Sequence, residues 1–261
     1  MKTYFQFYYY SMLTMFAYPS ELLFTLIEPV LSIGFLALFW SMFAQYSLKP
    51  VVLSSIVAYF IIAKCISIWA MNPTGLSFSR YLGGIIKSGA ISQTMVRPVR
   101  ILPAVVFEYN GYWGVDAIYS VFLFAIAIKM IGEVALLQFV WFVVFVALSY
   151  IISLSLSILI GSIGFYATEI NGIGHSVSHL IRILSGAWVP LAFFSEKTLE
   201  ILKFTPFPTI IYIPINILQS RTALETVYRD FFIGAIWAGG LLIVALYIWK
   251  RSMKKYEAVG I

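Results

Sequence analysis

The longest uncharged run in this chain limits the fold more than any other feature. Residues 136–166 contain no Asp, Glu, Lys or Arg. A helix needs roughly 20 apolar residues to cross a hydrocarbon layer about 30 Å thick, so this run is long enough to cross a bilayer. Five further apolar runs approach that length, and they cover residues 22–44, 51–70, 103–130, 172–194 and 231–249. The sequence therefore predicts an all-α membrane protein with six transmembrane helices.

Composition supports a lipid environment. Charged residues make up 11% of the chain, whereas a soluble domain carries about 25%. No linker or internal repeat separates domains, so residues 1–261 are predicted to form a single transmembrane domain. The one cysteine, Cys65, lies within an apolar run and excludes an intrachain disulfide.

The positions of Lys and Arg predict the orientation of the spans, because basic residues in short loops stay on the cytoplasmic side. Two segments are rich in such residues: the second connection, between the predicted spans 51–70 and 103–130, and the C-terminal tail. They contain Arg80, Lys87, Arg97 and Arg100, and Lys250, Arg251, Lys254 and Lys255, respectively. Both termini are therefore predicted to be cytoplasmic, and the connection around Lys49 and Pro50 external. The basic residues fit this topology better than they fit a nucleic-acid surface, so no nucleic-acid partner is expected.

Two segments are predicted to form helices that do not cross the membrane. Residues 4–18 are dense in Tyr and Phe, which prefer the headgroup layer, and Pro19 follows them. This pattern predicts an N-terminal interfacial helix in contact with membrane lipid. Residues 195–230 contain Pro206, Pro208 and Pro214, which prevent one straight helix. Short external or re-entrant helices are expected there, and they are predicted to form an outer gate.

Charged side chains inside apolar spans cost about 2.5 to 3.5 kcal/mol each on insertion scales, and they usually face the bundle interior or a wet cavity. Seven side chains are therefore candidates for a translocation path: Glu28, Lys64, Glu108, Asp116, His175, His179 and Arg182. Glu108 and Asp116 are eight residues apart and are predicted to lie close to one face of a helix. The acids and bases are predicted to pair across the bundle and to line an inner vestibule. The alternative is a purely structural ion pair, or residues close to the cytoplasmic headgroups.

No motif indicates catalysis. The chain contains no G-x-x-x-x-G-K-[ST] phosphate loop, so any ATP and Mg would be bound by another polypeptide. The pair His175 and His179 lacks the H-E-x-x-H pattern of a zinc enzyme, and no G-x-S-x-G nucleophile motif is present. We expect no catalytic residue, no metal site and no cofactor in this chain.

Three short motifs resemble the permeases of ABC-2-type exporters. Residues 86–98 read IKSGAISQTMVRP, residues 185–194 read SGAWVPLAFF and residues 255–260 read KYEAVG. The resemblance implies a permease that pairs with an identical or similar permease, while two separate ATPase subunits dock beneath the pair. It also implies a cytoplasmic coupling helix in the second connection. The residues that inherit the ATPase contact are Ile85, Ile86, Lys87, Ser88, Gly89, Arg97 and Pro98.

The sequence thus predicts a permease subunit of an ATP-driven exporter in the plasma membrane, with an unidentified substrate. Two other functions stay open at this point. In an ion- or proton-coupled carrier, Glu28, Glu108 and Asp116 would bind the coupling ion. A non-transporting membrane assembly subunit would bind a partner and show no flux.

Overall fold

The computed structural model describes residues 2–44, 53–72, 76–166, 171–254 and 256. The connection around Lys49, the acidic Glu169 and the tail residues 257–260 lie outside these ranges. Every regular element in the described ranges is helical. The α-helices are α1 (Lys2–Met15), α2 (Pro19–Ala44), α3 (Leu53–Ile66), α4 (Leu76–Lys87), α5 (Ile91–Met95), α6 (Ile101–Gly111), α7 (Gly114–Ile131), α8 (Leu136–Gly161), α9 (Asn171–Leu184), α10 (Glu196–Lys203), α11 (Phe207–Ile210), α12 (Tyr212–Leu218) and α13 (Leu224–Met253).

Five of the described helices are long and apolar enough to cross a membrane. They are Leu22–Met42, Leu53–Met71, Gly114–Ile131, Leu136–Phe165 and Glu225–Met253. Two of these extend an α-helix by a turn of different pitch, a π-helical turn at Ser67–Met71 and a 3₁₀ turn at Ser162–Phe165. The prediction of an all-helical protein with several membrane-spanning helices is confirmed.

The predicted third span, residues 103–130, is two helices in the structure. The chain turns at Tyr112 and Trp113, between α6 and α7. Helix α1 packs closely beside this turn, because a Cβ atom at Gly111 would collide with the main-chain oxygen of Tyr8. A Cβ atom at Gly114 would lie 2.8 Å from Cγ of Met12. Glycine therefore allows α1 to lie against the junction, and α7 alone has the length of a span.

The predicted fifth span, residues 172–194, contains the 14-residue helix α9 and an irregular segment after it. At 1.5 Å per residue α9 is about 21 Å long, shorter than a hydrocarbon core of about 30 Å. The helix ends at Leu184, and Gly186 in the turn that follows has a φ of 93°, which favours glycine. The main-chain oxygen of this glycine accepts a buried hydrogen bond of 2.7 Å from the Tyr59 hydroxyl of α3.

Helix α8 forms the centre of the bundle. Its small residues let neighbouring helices approach closely. The Ser149 hydroxyl donates to the main-chain oxygen of Ile210 at 2.7 Å, and Gly161 faces Leu82 of α4. Helix α11 therefore packs against the middle of α8, and α4 packs against the C-terminal end of α8.

The basic clusters meet at one end of the bundle, which we call the basic end. The hydroxyl oxygens of Ser92, after α4, and Tyr256, in the tail, are 3.0 Å apart. The Tyr4 hydroxyl of α1 accepts a hydrogen bond of 3.0 Å from the Arg100 main-chain nitrogen. The first helix, the second connection and the C-terminal tail therefore lie together, as the charge pattern predicts.

The segment from His175 to Trp188 connects α4 at the basic end with the last turns of α2. His175 lies beside Arg80 of α4, with 3.1 Å between Nε2 and Nη1. Trp188 lies beside Trp40 in the last turns of α2, and its main-chain oxygen accepts a 2.8 Å hydrogen bond from the Trp40 indole. Helices α10 to α12 follow from there.

Candidate translocation cavity

A cavity of about 450 Å³ lies between helices α2, α3, α7 and α9. Each of the four helices contributes one charged side chain to its lining. These are Glu28, Lys64, Asp116 and Arg182, all of them predicted path residues. The structure therefore brings four of the seven predicted residues to one site, although they are up to 154 positions apart in sequence.

Glu28 and Lys64 form an ion pair across the cavity wall. The Lys64 ammonium donates to both carboxylate oxygens of Glu28, at 2.8 and 2.6 Å. The side chain of Lys64 is 18% exposed and that of Glu28 is 60% exposed. The pair links α2 to α3, and each charge neutralises the other.

Asp116 and Arg182 line the same cavity without forming an ion pair with each other. The ion pairs between described residues are Lys64–Glu28 and Arg229–Asp230. Asp116 is buried and accepts a 3.3 Å hydrogen bond from the Tyr119 hydroxyl of its own helix. The Arg182 guanidinium lies over the Trp188 ring, with Cζ 5.9 Å from the ring centre. Each of these opposite charges therefore keeps hydrogen-bonding capacity towards the cavity.

Glu108 lies elsewhere. It belongs to α6 and accepts a 3.1 Å hydrogen bond from the Tyr81 hydroxyl of α4. The prediction that Glu108 and Asp116 lie on one helix face is wrong, because the turn at residues 112 and 113 puts them on separate helices. Burial and the neighbouring Glu108 carboxylate raise the pKa of Tyr81. Glu108 instead borders a second cavity of about 320 Å³ between α1 and Arg97.

His175 and His179 lie on α9 on the basic-end side of Arg182. Their rings are 6.3 Å apart, and the His179 ring lies 5.1 Å from that of Trp188. The Nε2 atom of His175 accepts from Arg80, since a guanidinium only donates. Among the described residues, no three His, Cys, Asp or Glu side chains come together as metal ligands would.

The residues predicted to contact an ATPase lie at the basic end, and their exposure differs. Lys87, Ser88, Arg97 and Pro98 are exposed, and Ile85 and Gly89 are half-buried. Ile86 is buried and packs in a core cluster with Phe78 and Leu82. Gly89, with a φ of 75°, follows α4 and redirects the chain into α5.

Sequence reasoning missed three side chains that shape the cavity. Trp188 forms part of its wall, and Trp40 and Tyr59 hold the irregular segment that carries Trp188. Gly186 and Trp188 belong to the motif at residues 185–194, so a local signal existed. Their partners lie more than a hundred residues away and had no comparable signal.

A comparison with protein-family models gives a match over residues 26–260 to the family described as ABC-2 family transporter protein. The chain belongs to the ABC-2 transporter family. The matched range contains all four charged residues of the cavity and both helices at the second connection. As a member of this family, the ABC-2 protein is a membrane permease component of an ABC transporter, and such components associate with an ABC ATPase. A comparison with curated proteins found no significant match.

Proposed function

We propose that this ABC-2 protein is the permease subunit of an exporter, that its substrate passes through the cavity between α2, α3, α7 and α9, and that separate ATPase subunits drive it. The observation that supports this most directly is the convergence of Glu28, Lys64, Asp116 and Arg182 from four helices. Ionisable residues in membrane spans are expensive and usually mark a substrate or ion pathway. Only Glu28 and Lys64 of these four form an ion pair in the described structure, so Asp116 and Arg182 line the cavity without pairing with each other.

The proposed topology has six crossings, with both termini on the cytoplasmic side of the plasma membrane. The first helix and the C-terminal tail lie together at the basic end, which requires an even number of crossings. Five helices have the length of a span, and the segment from His175 to Trp188 supplies the sixth crossing. Irregular backbone at membrane depth is tolerated where protein or a water-filled cavity surrounds it, as the cavity does here.

The external side is proposed to be closed by re-entrant helices. Ile210 of α11 accepts a hydrogen bond from Ser149, which lies 13 residues into the 26-residue α8. The chain between α10 and α12 therefore reaches about halfway down α8. In this proposal α10, α11 and α12 form the outer gate above the cavity.

The coupling route begins at the exposed surface of α4 and the residues after it. Lys87, Arg97 and Pro98 face the side on which ATPase subunits would dock. The opposite face of α4 packs on α8, and Arg80 of α4 contacts His175 of α9. Helix α9 carries Arg182 into the cavity. A displacement of α4 by the ATPase would therefore be transmitted to the cavity by one helix, α9.

A second permease, identical or similar, is proposed to cover α2. This helix exposes a row of large apolar side chains: Leu23, Phe24, Ile27, Leu31, Phe35 and Leu38. One charged residue of the cavity, Glu28, lies on the same helix and is 60% exposed. Pairing along α2 would enclose the cavity between two copies, and lipid would cover the remaining apolar surfaces, including the aromatic side chains of α1.

The test is reconstitution of the permease with its ATPase in vesicles. Arg182→Ala is expected to reduce ATP-driven flux more than it reduces the yield of folded protein, and Lys87→Glu combined with Arg97→Glu is expected to reduce copurification of the ATPase. Lys129→Gln, an exposed change at the far end of α7, is the control for both.

Flux that follows a proton gradient without ATP would contradict the proposal in favour of a carrier. An ATPase that binds while no candidate substrate moves would favour an assembly subunit.

A further inference from the structure

Building on the proposed function, we infer that the cavity takes a zwitterionic amphiphile, a molecule with one anionic group, one cationic group and an apolar portion. The inference begins with the charge balance of the lining. Of the four charged residues, Glu28 and Lys64 neutralise each other directly. Asp116 and Arg182 are left with opposite charges and no ion pair to each other.

Asp116 and Arg182 both have hydrogen-bonding positions that a ligand could use. An ionised carboxylate offers about four acceptor positions, and Asp116 uses one of them for Tyr119. A guanidinium has five N–H donors, and the Arg182 group faces the Trp188 ring. An anionic group would receive charge-assisted hydrogen bonds from Arg182, and a cationic group would donate to or pair with Asp116.

A ligand with a single charge would satisfy only one of these residues. The other would stay at membrane depth without an ion-pair partner of its own, which is unfavourable. A zwitterion meets both residues in one binding event. The charge pattern therefore favours a zwitterion over a simple organic anion or cation.

The rest of the lining suits the apolar portion and the cationic group. Phe24, Ile33, Leu36 and Phe60 supply apolar wall. Trp113, three residues before Asp116, adds an aromatic ring near the acid, and aromatic rings attract quaternary ammonium groups. The volume of about 450 Å³ falls within the range of about 300–1,000 Å³ typical of small-molecule sites.

The experiment compares three probes that share a ten-carbon tail: decylphosphocholine, decyl phosphate and decyltrimethylammonium. Binding to the full-length permease is measured by calorimetry in nonionic maltoside micelles, so that no charged lipid competes, and uptake by protein-free micelles is subtracted. We expect decylphosphocholine to bind at least about tenfold more tightly than either singly charged probe, a difference of about 1.4 kcal/mol. Equal affinity for the three probes, or tighter binding of a singly charged probe, would overturn the inference.

Charge-neutralising variants identify the residues responsible. Asp116→Asn is expected to remove the preference for the zwitterion over decyl phosphate, and Arg182→Gln the preference over decyltrimethylammonium. The conservative changes Asp116→Glu and Arg182→Lys are expected to keep most of it. Glu133→Gln and Lys129→Gln, which alter exposed charges at the far end of α7, are the controls. A preference that survives both neutralising variants would overturn the assignment. If a neutralising variant does not fold, the comparison of probes on the unaltered protein still decides.

The failure of this inference differs from failure of the proposed function. ATP-driven flux of other compounds, without a zwitterion preference, would remove the substrate class and leave the exporter intact. A clear preference for the zwitterion in a permease that binds its ATPase but moves none of the probes would keep the ligand class and remove the exporter function.

Discussion

Substitution of Gly161 by Ala tests how tightly α4 is joined to α8. A Cβ atom at this position would lie 2.8 Å from Cδ2 of Leu82 and 3.1 Å from its Cβ. Leu82 is fully buried and cannot turn away into solvent. Because non-bonded carbon atoms prefer about 3.5–4.0 Å, α4 must move by roughly 0.7 Å or more. Such overpacking typically costs about 1–3 kcal/mol.

Gly84→Ala is the matched control for this change. Gly84 lies on α4 itself, and a Cβ atom there meets nothing within 4 Å. Alanine is favoured over glycine inside a helix by about 1 kcal/mol, so the control is expected to be as stable as the unaltered chain or slightly more stable. The difference between the two variants therefore isolates the steric contribution and should be about 1–3 kcal/mol.

The assay is reversible unfolding in maltoside micelles, followed by measurement of substrate-stimulated ATP hydrolysis in the reconstituted complex. Gly161→Ala is expected to unfold more easily than Gly84→Ala. Since the displaced helix is the proposed coupling element, stimulation should also fall in Gly161→Ala. Equal stability of the two variants would refute the argument that α4 and α8 pack without spare room.

Three further predictions concern other contacts. Tyr59→Phe leaves the buried main-chain oxygen of Gly186 without its donor and should lower the free energy of unfolding by about 1–3 kcal/mol in the same assay. A double-mutant cycle with Glu28→Gln and Lys64→Gln should give a coupling energy of about 0.5–2 kcal/mol, because one partner is well exposed; a coupling near zero would show that the pair does not stabilise the fold. Gly111→Ala should separate α1 from α6 and speed proteolysis of the N-terminal helix, whereas unchanged proteolysis would contradict the close contact with the backbone of α1.

The sequence predicts much of the fold because its strongest signal, long apolar runs, depends on local composition. It also identifies Glu28, Lys64, Asp116 and Arg182, because a charge inside such a run is conspicuous. The hypothesis that they line one inner vestibule rests on the same signal, and the structure brings these four together in one cavity.

What the sequence does not predict depends on contacts between distant residues. The turn at residues 112 and 113, where α1 lies against Gly111, divides an apolar run that hydropathy predicts as one helix. Glu108 is separated from Asp116 for this reason. The short α9 likewise ends where Tyr59, from another helix, takes a main-chain oxygen that a longer helix would have used.

The irregular segment after α9 has a consequence for how the permease can change shape. Hydrogen bonds hold it, from the side chains of Tyr59 to Gly186 and of Trp40 to Trp188, and from the main chain of Tyr212 to Ser185. A hydrogen bond contributes a net of about 0.5–1.5 kcal/mol, far less than the unwinding of several turns of helix would cost. The segment therefore connects α2 and α3 through bonds that can break separately from the helices. If these bonds break, Trp188 and the cavity wall beside it can move while the long helices stay intact.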